Sequence, residues 1–142
     1  MQNDKFYNDT LIEHNIRPDF KFTMEDADMK LNGINPSCGD DISLFIKYNN
    51  GIIDDISFDG VGCAVSQASA DIMAGLVLGK TKEEALKLTD IFTRMIRNEA
   101  GDDEIEELEE AAELKDISHM PARVKCATLG WRTLKEALEK AD

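Results

Sequence analysis

The stretch "ISLFIKYNNGIIDDISF", residues 42–58, decides the fold. Ile42, Leu44, Ile46 and Tyr48 recur at every second position, the period of a strand with one buried face. "NNG" follows at 49–51, a hairpin turn signal because Asn and Gly tolerate positive φ. On the return, Ile52, Ile56 and Phe58 share a face that Asp54 interrupts. The stretch therefore reads as a β-hairpin with one apolar side, which must be covered by something else.

Upstream, "MKLNGIN" (29–35) has a weaker alternation and reads as a further strand, while residues 19–28 read as loop. Phe6, Tyr7, Thr10, Leu11 and His14 recur at helical spacing and predict a short helix that stops before Pro18. Downstream, the pattern changes at "DGVGCAVSQASADIMAGLVLG" (59–79). Gly60 and Gly62 make a turn, and Cys63 opens a helix of small residues that packs close to its neighbour and ends at Gly79. Thr81 and Glu84 form a capping box for a helix over "KEEALKL" (82–88), and "DIFTRMIRN" (90–98) reads as another short helix. The last segment, "ARVKCATLGWRTLKEALEKA" (122–141), carries Val124, Ala127, Trp131, Leu134 and Leu138 at spacings of three and four, with Pro121 ahead where a helix start tolerates it. The expected class is α+β: a small antiparallel sheet of about three strands packed against several α-helices.

A chain of 142 residues fits a single domain spanning 1–142. The net charge of −13 repels phosphate backbones and anionic lipid, so neither nucleic acid nor a membrane is the expected partner. Ten of the acidic residues lie between Glu99 and Asp116 with one lysine among them, which predicts a solvated surface helix or mobile insertion. The N-terminus has no signal-peptide pattern and no apolar run is long enough to span a membrane, so the expectation is a cytoplasmic protein with reduced thiols.

Three cysteines are an odd number and fit a disulfide framework badly. Cys38 lies on a turn in "NPSCGDD" (35–41), Cys63 after a glycine turn at a helix start, and Cys126 near the start of the last helix. Helix N-termini favour thiolate over thiol. Clustered thiolates in a reducing compartment bind metal, and zinc takes four ligands from Cys, His, Asp and Glu. Asp40 is the candidate for the fourth place, because a tight turn at Gly39 brings it near Cys38. A small buried hydrophobe is the competing reading for Cys63 and Cys126, each set among alanines. His14 and His119 are expected at the surface or at helix ends rather than as ligands.

Two segments, "NPSCGDDISLFIKYNNGIIDDISFDGVGCAVSQASADIM" (35–73) and "PARVKCATLGWRTLKEAL" (121–138), resemble the U-type iron–sulfur cluster assembly family, from about Gly33 to Leu138. The scaffold branch of that family, IscU-like, has a His directly before its last cysteine and a Leu-Pro-Pro-Val-Lys motif upstream. This chain has Lys125 and "HMPARVK" (119–125) instead, with extra residues around 99–116, and so is similar to the SufU-like branch. The resemblance implies Cys38, Asp40, Cys63 and Cys126 as zinc ligands and Cys38 as the thiol that receives persulfide sulfur. It implies a SufS-type cysteine desulfurase as donor, a downstream scaffold or apo-acceptor as recipient, and Arg123 in partner contact or ligand exchange. The chain would then be a sulfurtransferase-type carrier working with that desulfurase. The alternative is a scaffold that builds and passes on a [2Fe–2S] cluster, or holds iron, on the same four residues.

Overall fold

The computed structural model describes residues 9–141. In chain order it comprises α1 (Asp9–Ile16), β1 (Met29–Asn35), β2 (Asp40–Asn49), β3 (Ile52–Val61), α2 (Ala64–Val77), α3 (Lys82–Ile96), the short α4 (Asp102–Glu106), a 3-10 segment (Glu109–His119) and α5 (Pro121–Lys140). The class is α+β as expected. Phe6 and Tyr7 of the predicted first helix lie outside the described residues; α1 ends ahead of Pro18.

The sheet is an antiparallel meander in the order β1-β2-β3. Asn50 and Gly51 both have positive φ (53° and 77°), the backbone that lets a two-residue turn follow the strand twist. One face of β2, with Ile42, Leu44 and Ile46, is buried as read. The return strand differs by one position. Lys47 pairs with Asp55 but Tyr48 pairs with Ile53, so Asp54 is an extra residue in a bulge. The bulge flips the side-chain phase, burying Ile53 with Ile56 and Phe58 and leaving Ile52 41% exposed.

Helices α2 and α5 cover the buried face and pack on each other. Two glycines let them sit close: a Cβ on Gly130 of α5 would lie 3.4 Å from the Ala70 Cα of α2, and one on Gly33 of β1 would lie 2.2 Å from the Thr133 hydroxyl of α5. The Ser69 hydroxyl donates to the Ala127 carbonyl (2.6 Å) and accepts from the Trp131 indole N–H (2.9 Å), a buried polar tie between the two helices. Trp131 in turn stacks on Phe92 of α3, with centroids 4.1 Å apart. Residues 19–28 leave the edge of β3 through a Lys21–Phe58 bridge and reach β1 across the other side of the sheet, with Met24 buried and Asp26 paired to Lys47.

Two helical readings are corrected. "KEEALKL" and "DIFTRMIRN" form one continuous helix, α3, begun by the Thr81–Glu84 capping box. Nothing in Leu88-Thr89-Asp90 breaks it; the Thr89 hydroxyl bonds back to the Ala85 carbonyl one turn earlier. The acidic stretch is not a solvated helix. Leu108, Ala111, Leu114 and Ile117 enter the core while the carboxylates face outward. Arg94 of α3 forks onto both oxygens of Glu104 and pulls its carboxyl down to about 2.

Candidate metal centre

All three cysteines lie at one end of the sheet. The four-residue connection from Asn35 to Asp40 holds Cys38; Gly39 turns it with φ 70°, and the Cys38 N–H donates to the Asn35 carbonyl at 3.3 Å. At the end of β3, Gly60 (φ 133°) and Gly62 carry the chain against Asp40: a Cβ on Gly62 would lie 2.8 Å from its carboxylate and 2.5 Å from the Ser66 hydroxyl. Cys63 is then the N-cap of α2, its sulfur accepting from the Ser66 N–H at 3.4 Å. That position stabilises negative charge on the sulfur. Cys126 reaches the cluster from the second turn of α5.

Cys38, Asp40 and Cys126 offer ligand atoms within 4.8 Å of one another, and among the described residues they form the one such group of His, Cys, Asp and Glu. The Cys126 and Cys38 sulfurs are 2.7 Å apart, too far for a disulfide at about 2.05 Å. Cys63 stands outside that group and joins it through its backbone, whose N–H donates to Asp40 Oδ1 at 2.8 Å. Asp40 and Cys126 are buried, whereas Cys38 and Cys63 are half-buried.

Burial pushes the Cys126 thiol well up from the usual range, and the Cys38 and Cys63 thiols and the charge of Asp40 add to it. The sequence expectation that Cys126 gains from a helix N-terminus is therefore corrected: it lies beyond the free N–H groups of the first turn. Three sulfurs and a carboxylate fit a thiophilic cation such as zinc, or iron–sulfur chemistry.

Arg123 sits half-buried on the first turn of α5, one turn before Cys126. Neither histidine belongs to the cluster. His119 is exposed at the end of the 3-10 segment. His14 is not a surface residue or a cap: its Nδ1 meets the buried Asp71 carboxylate and its Nε2 meets Glu110, each at 2.5 Å. Burial works against charge on His14, but the two carboxylates outweigh it and raise its pKa above the ordinary 6.5.

Two residues at the site escaped the sequence reading. Asn35 and Ser66 are buried and both hold Asp40: Asn35 Nδ2 donates to Oδ2 at 3.2 Å, and the Ser66 hydroxyl donates to Oδ1 at 3.0 Å. Ser66 stands in the quoted pattern around Cys63, but Asn35 ahead of a proline reads only as turn chemistry.

Residues 6–141 match the model of the NifU-like N terminal domain family. The chain is 40% identical over 136 residues to the iron–sulfur cluster assembly scaffold protein IscU of Streptococcus pyogenes, covering 95% of this chain and 84% of that one. It is 36% identical over 139 residues to the zinc-dependent sulfurtransferase SufU of Bacillus subtilis, covering 98% and 93%. A crystal structure from Fervidobacterium islandicum, described as a candidate scaffold protein for the SUF system (FiSufU), superposes with a TM-score of 0.89 at 33% identity, over 95% of this chain and 98% of that one. No helix among the described residues is long and apolar enough to cross a membrane.

Proposed function

This chain belongs to the NifU-like N-terminal domain family of iron–sulfur cluster assembly proteins, and on that premise we propose that it is a zinc-dependent sulfur acceptor. Cys38 takes persulfide sulfur from a SufS-type cysteine desulfurase and yields it to a downstream scaffold or apo-acceptor. The observation that carries this reading is the contrast at one cluster: Cys126 and Asp40 are buried, while Cys38 rides half-buried on a four-residue turn beside them.

Cys38, Asp40, Cys63 and Cys126 would hold the ion. When bound, zinc keeps the thiols deprotonated and brings no redox chemistry of its own. The chain's residues do the rest. The turn would offer the half-buried Cys38 to an incoming persulfide, and burial keeps the Cys126 sulfur from competing for it. The Cys38 thiolate attacks the terminal sulfur of the donor's persulfide. The donor's S–S bond breaks, its cysteine leaves as thiolate, and one sulfur with its proton stays on Cys38. Arg123, one turn ahead of Cys126, would meet the partner or accompany ligand exchange.

A second reading has its own support. The same four residues suit a transient [2Fe–2S] cluster, and the streptococcal relative is named a scaffold. Metal content and desulfurase turnover separate the two. The sulfur-acceptor reading expects zinc after purification and faster turnover of the desulfurase on addition of the protein. A cluster that forms anaerobically and passes intact to an apo-acceptor, with no effect on turnover, would establish the scaffold instead.

A further inference from the structure

We propose that Asn35 is the positioning residue that makes Asp40 and Cys126 the fixed ligands of the centre, so that Cys38 is the one that exchanges. The proposal rests on the metal reading above and deepens it. Asn35 is the last residue of β1, 3% exposed, and pairs across the sheet with Asp40. Its side-chain amide has two N–H bonds, and the structure uses both: one toward Asp40 Oδ2 at 3.2 Å, the other toward the Cys126 sulfur at 3.6 Å. The reverse amide orientation would set a carbonyl against a carboxylate and a sulfur, so the donor assignment follows from the neighbours.

The four ligands are therefore held unequally. Asp40 accepts from the Cys63 N–H, the Ser66 hydroxyl and Asn35, with a donor on each oxygen. Cys63 accepts from the Ser66 N–H, and Cys126 from Asn35. The Cys38 sulfur accepts from the Cys126 thiol alone; the Ala122 carbonyl lies near both sulfurs, at 3.9 Å and 4.0 Å, and the Asn35 amide reaches Cys126 but not Cys38. Asn35 is the side-chain donor that joins Asp40 on the sheet to Cys126 on α5. Its donation restricts Asp40 Oδ2 and leaves the carboxylate in one orientation. It also withdraws electron density from the Cys126 sulfur, which makes that thiolate a poorer nucleophile toward a persulfide.

The test uses Co(II) as a probe in the full chain, with Asn35→Asp, which keeps the volume but replaces the donor, and Asn35→Ala. Visible spectra report the ligand set, and competition with a chromogenic chelator reports affinity. Near-ultraviolet circular dichroism of Trp131 reports folding. Both variants are expected to fold with Co(II), to bind it about 10–100-fold more weakly, and to show an altered d–d envelope. Spectrum and affinity equal to wild type in both variants would overturn the proposal. Failure of both to fold with excess Co(II) would overturn it too, by making Asn35 a residue of the fold. If wild-type protein itself shows no sulfur-to-metal charge-transfer band, the metal reading fails, and the result is distinct from either outcome.

Discussion

Ser69 offers the sharpest test of how the site is held. It falls in the pattern around Cys63 that resembles the assembly family, yet its hydroxyl is spent on the Trp131 indole N–H and the Ala127 carbonyl. All three residues are fully buried. Ser69→Ala leaves the indole N–H without an acceptor in the core, which costs about 1–3 kcal/mol, and removes a hydrogen bond to a carbonyl worth about 0.5–1.5 kcal/mol. Ala127 lies inside α5, so its carbonyl is positioned for an intrahelical bond as well and does not add a full penalty. The expected loss is about 2–4 kcal/mol, a large share of the roughly 5–15 kcal/mol typical of a domain. Urea unfolding at fixed free zinc, followed by far-ultraviolet circular dichroism, measures it; zinc must be fixed because ligand binding shifts apparent stability. In a Trp131→Phe background no donor is orphaned, and Ser69→Ala should then cost about 1 kcal/mol. A loss within about 0.5 kcal/mol in the wild-type background, or equal losses in both backgrounds, would show that Ser69 does not hold the indole N–H.

Three further outcomes follow from particular contacts. His14 has its pKa raised by Asp71 and Glu110, so the stability it contributes is complete below pH 6.5, its unfolded value, and fades as pH rises through the folded value. The difference in urea midpoint between wild type and His14→Asn should shrink as pH climbs from 6.5; a constant difference would refute this. Gly33→Ala puts a methyl 2.2 Å from the Thr133 hydroxyl and should destabilise by about 1–3 kcal/mol, most of it recovered by Thr133→Ala, as read by thermal unfolding. Leu108→Ala should cost about 2–5 kcal/mol because that residue is fully buried, whereas Glu106→Gln beside it should stay within about 0.5 kcal/mol in the same assay.

Much of the fold was legible where local chemistry and packing agree. Thr81 and Glu84 announce a helix start because both halves of a capping box lie within four residues, and Asn50-Gly51 announces a turn because few other residues accept its backbone. The face of Ile52 and Ile53 was misread because a bulge at Asp54 is a property of two strands in register, which one strand's sequence does not contain. The acidic segment was misread because ten carboxylates obscured a sparse apolar set, Leu108, Ala111, Leu114 and Ile117, whose burial depends on α2 and α3 being there to receive it. At the candidate site, residue types pointed to Cys38 and Asp40, while Cys63 and Cys126 read equally as buried hydrophobes until the family resemblance joined all four. Asn35 and Ser66 did not stand out, because an amide or hydroxyl acquires its role from what the fold sets opposite it. His14 was placed at the surface for the same reason: Asp71 is 57 residues away and Glu110 is 96.

The most direct measurement is the location of transferred sulfur. Zinc-loaded protein is mixed with a SufS-type cysteine desulfurase and cysteine, the free thiols are blocked, and peptides carrying Cys38, Cys63 and Cys126 are compared by mass spectrometry. One added sulfur is expected on Cys38, none on Cys63 or Cys126, and no adduct in Cys38→Ala. Sulfur on Cys126, or an unmodified Cys38 while the desulfurase turns over, would contradict Cys38 as the acceptor.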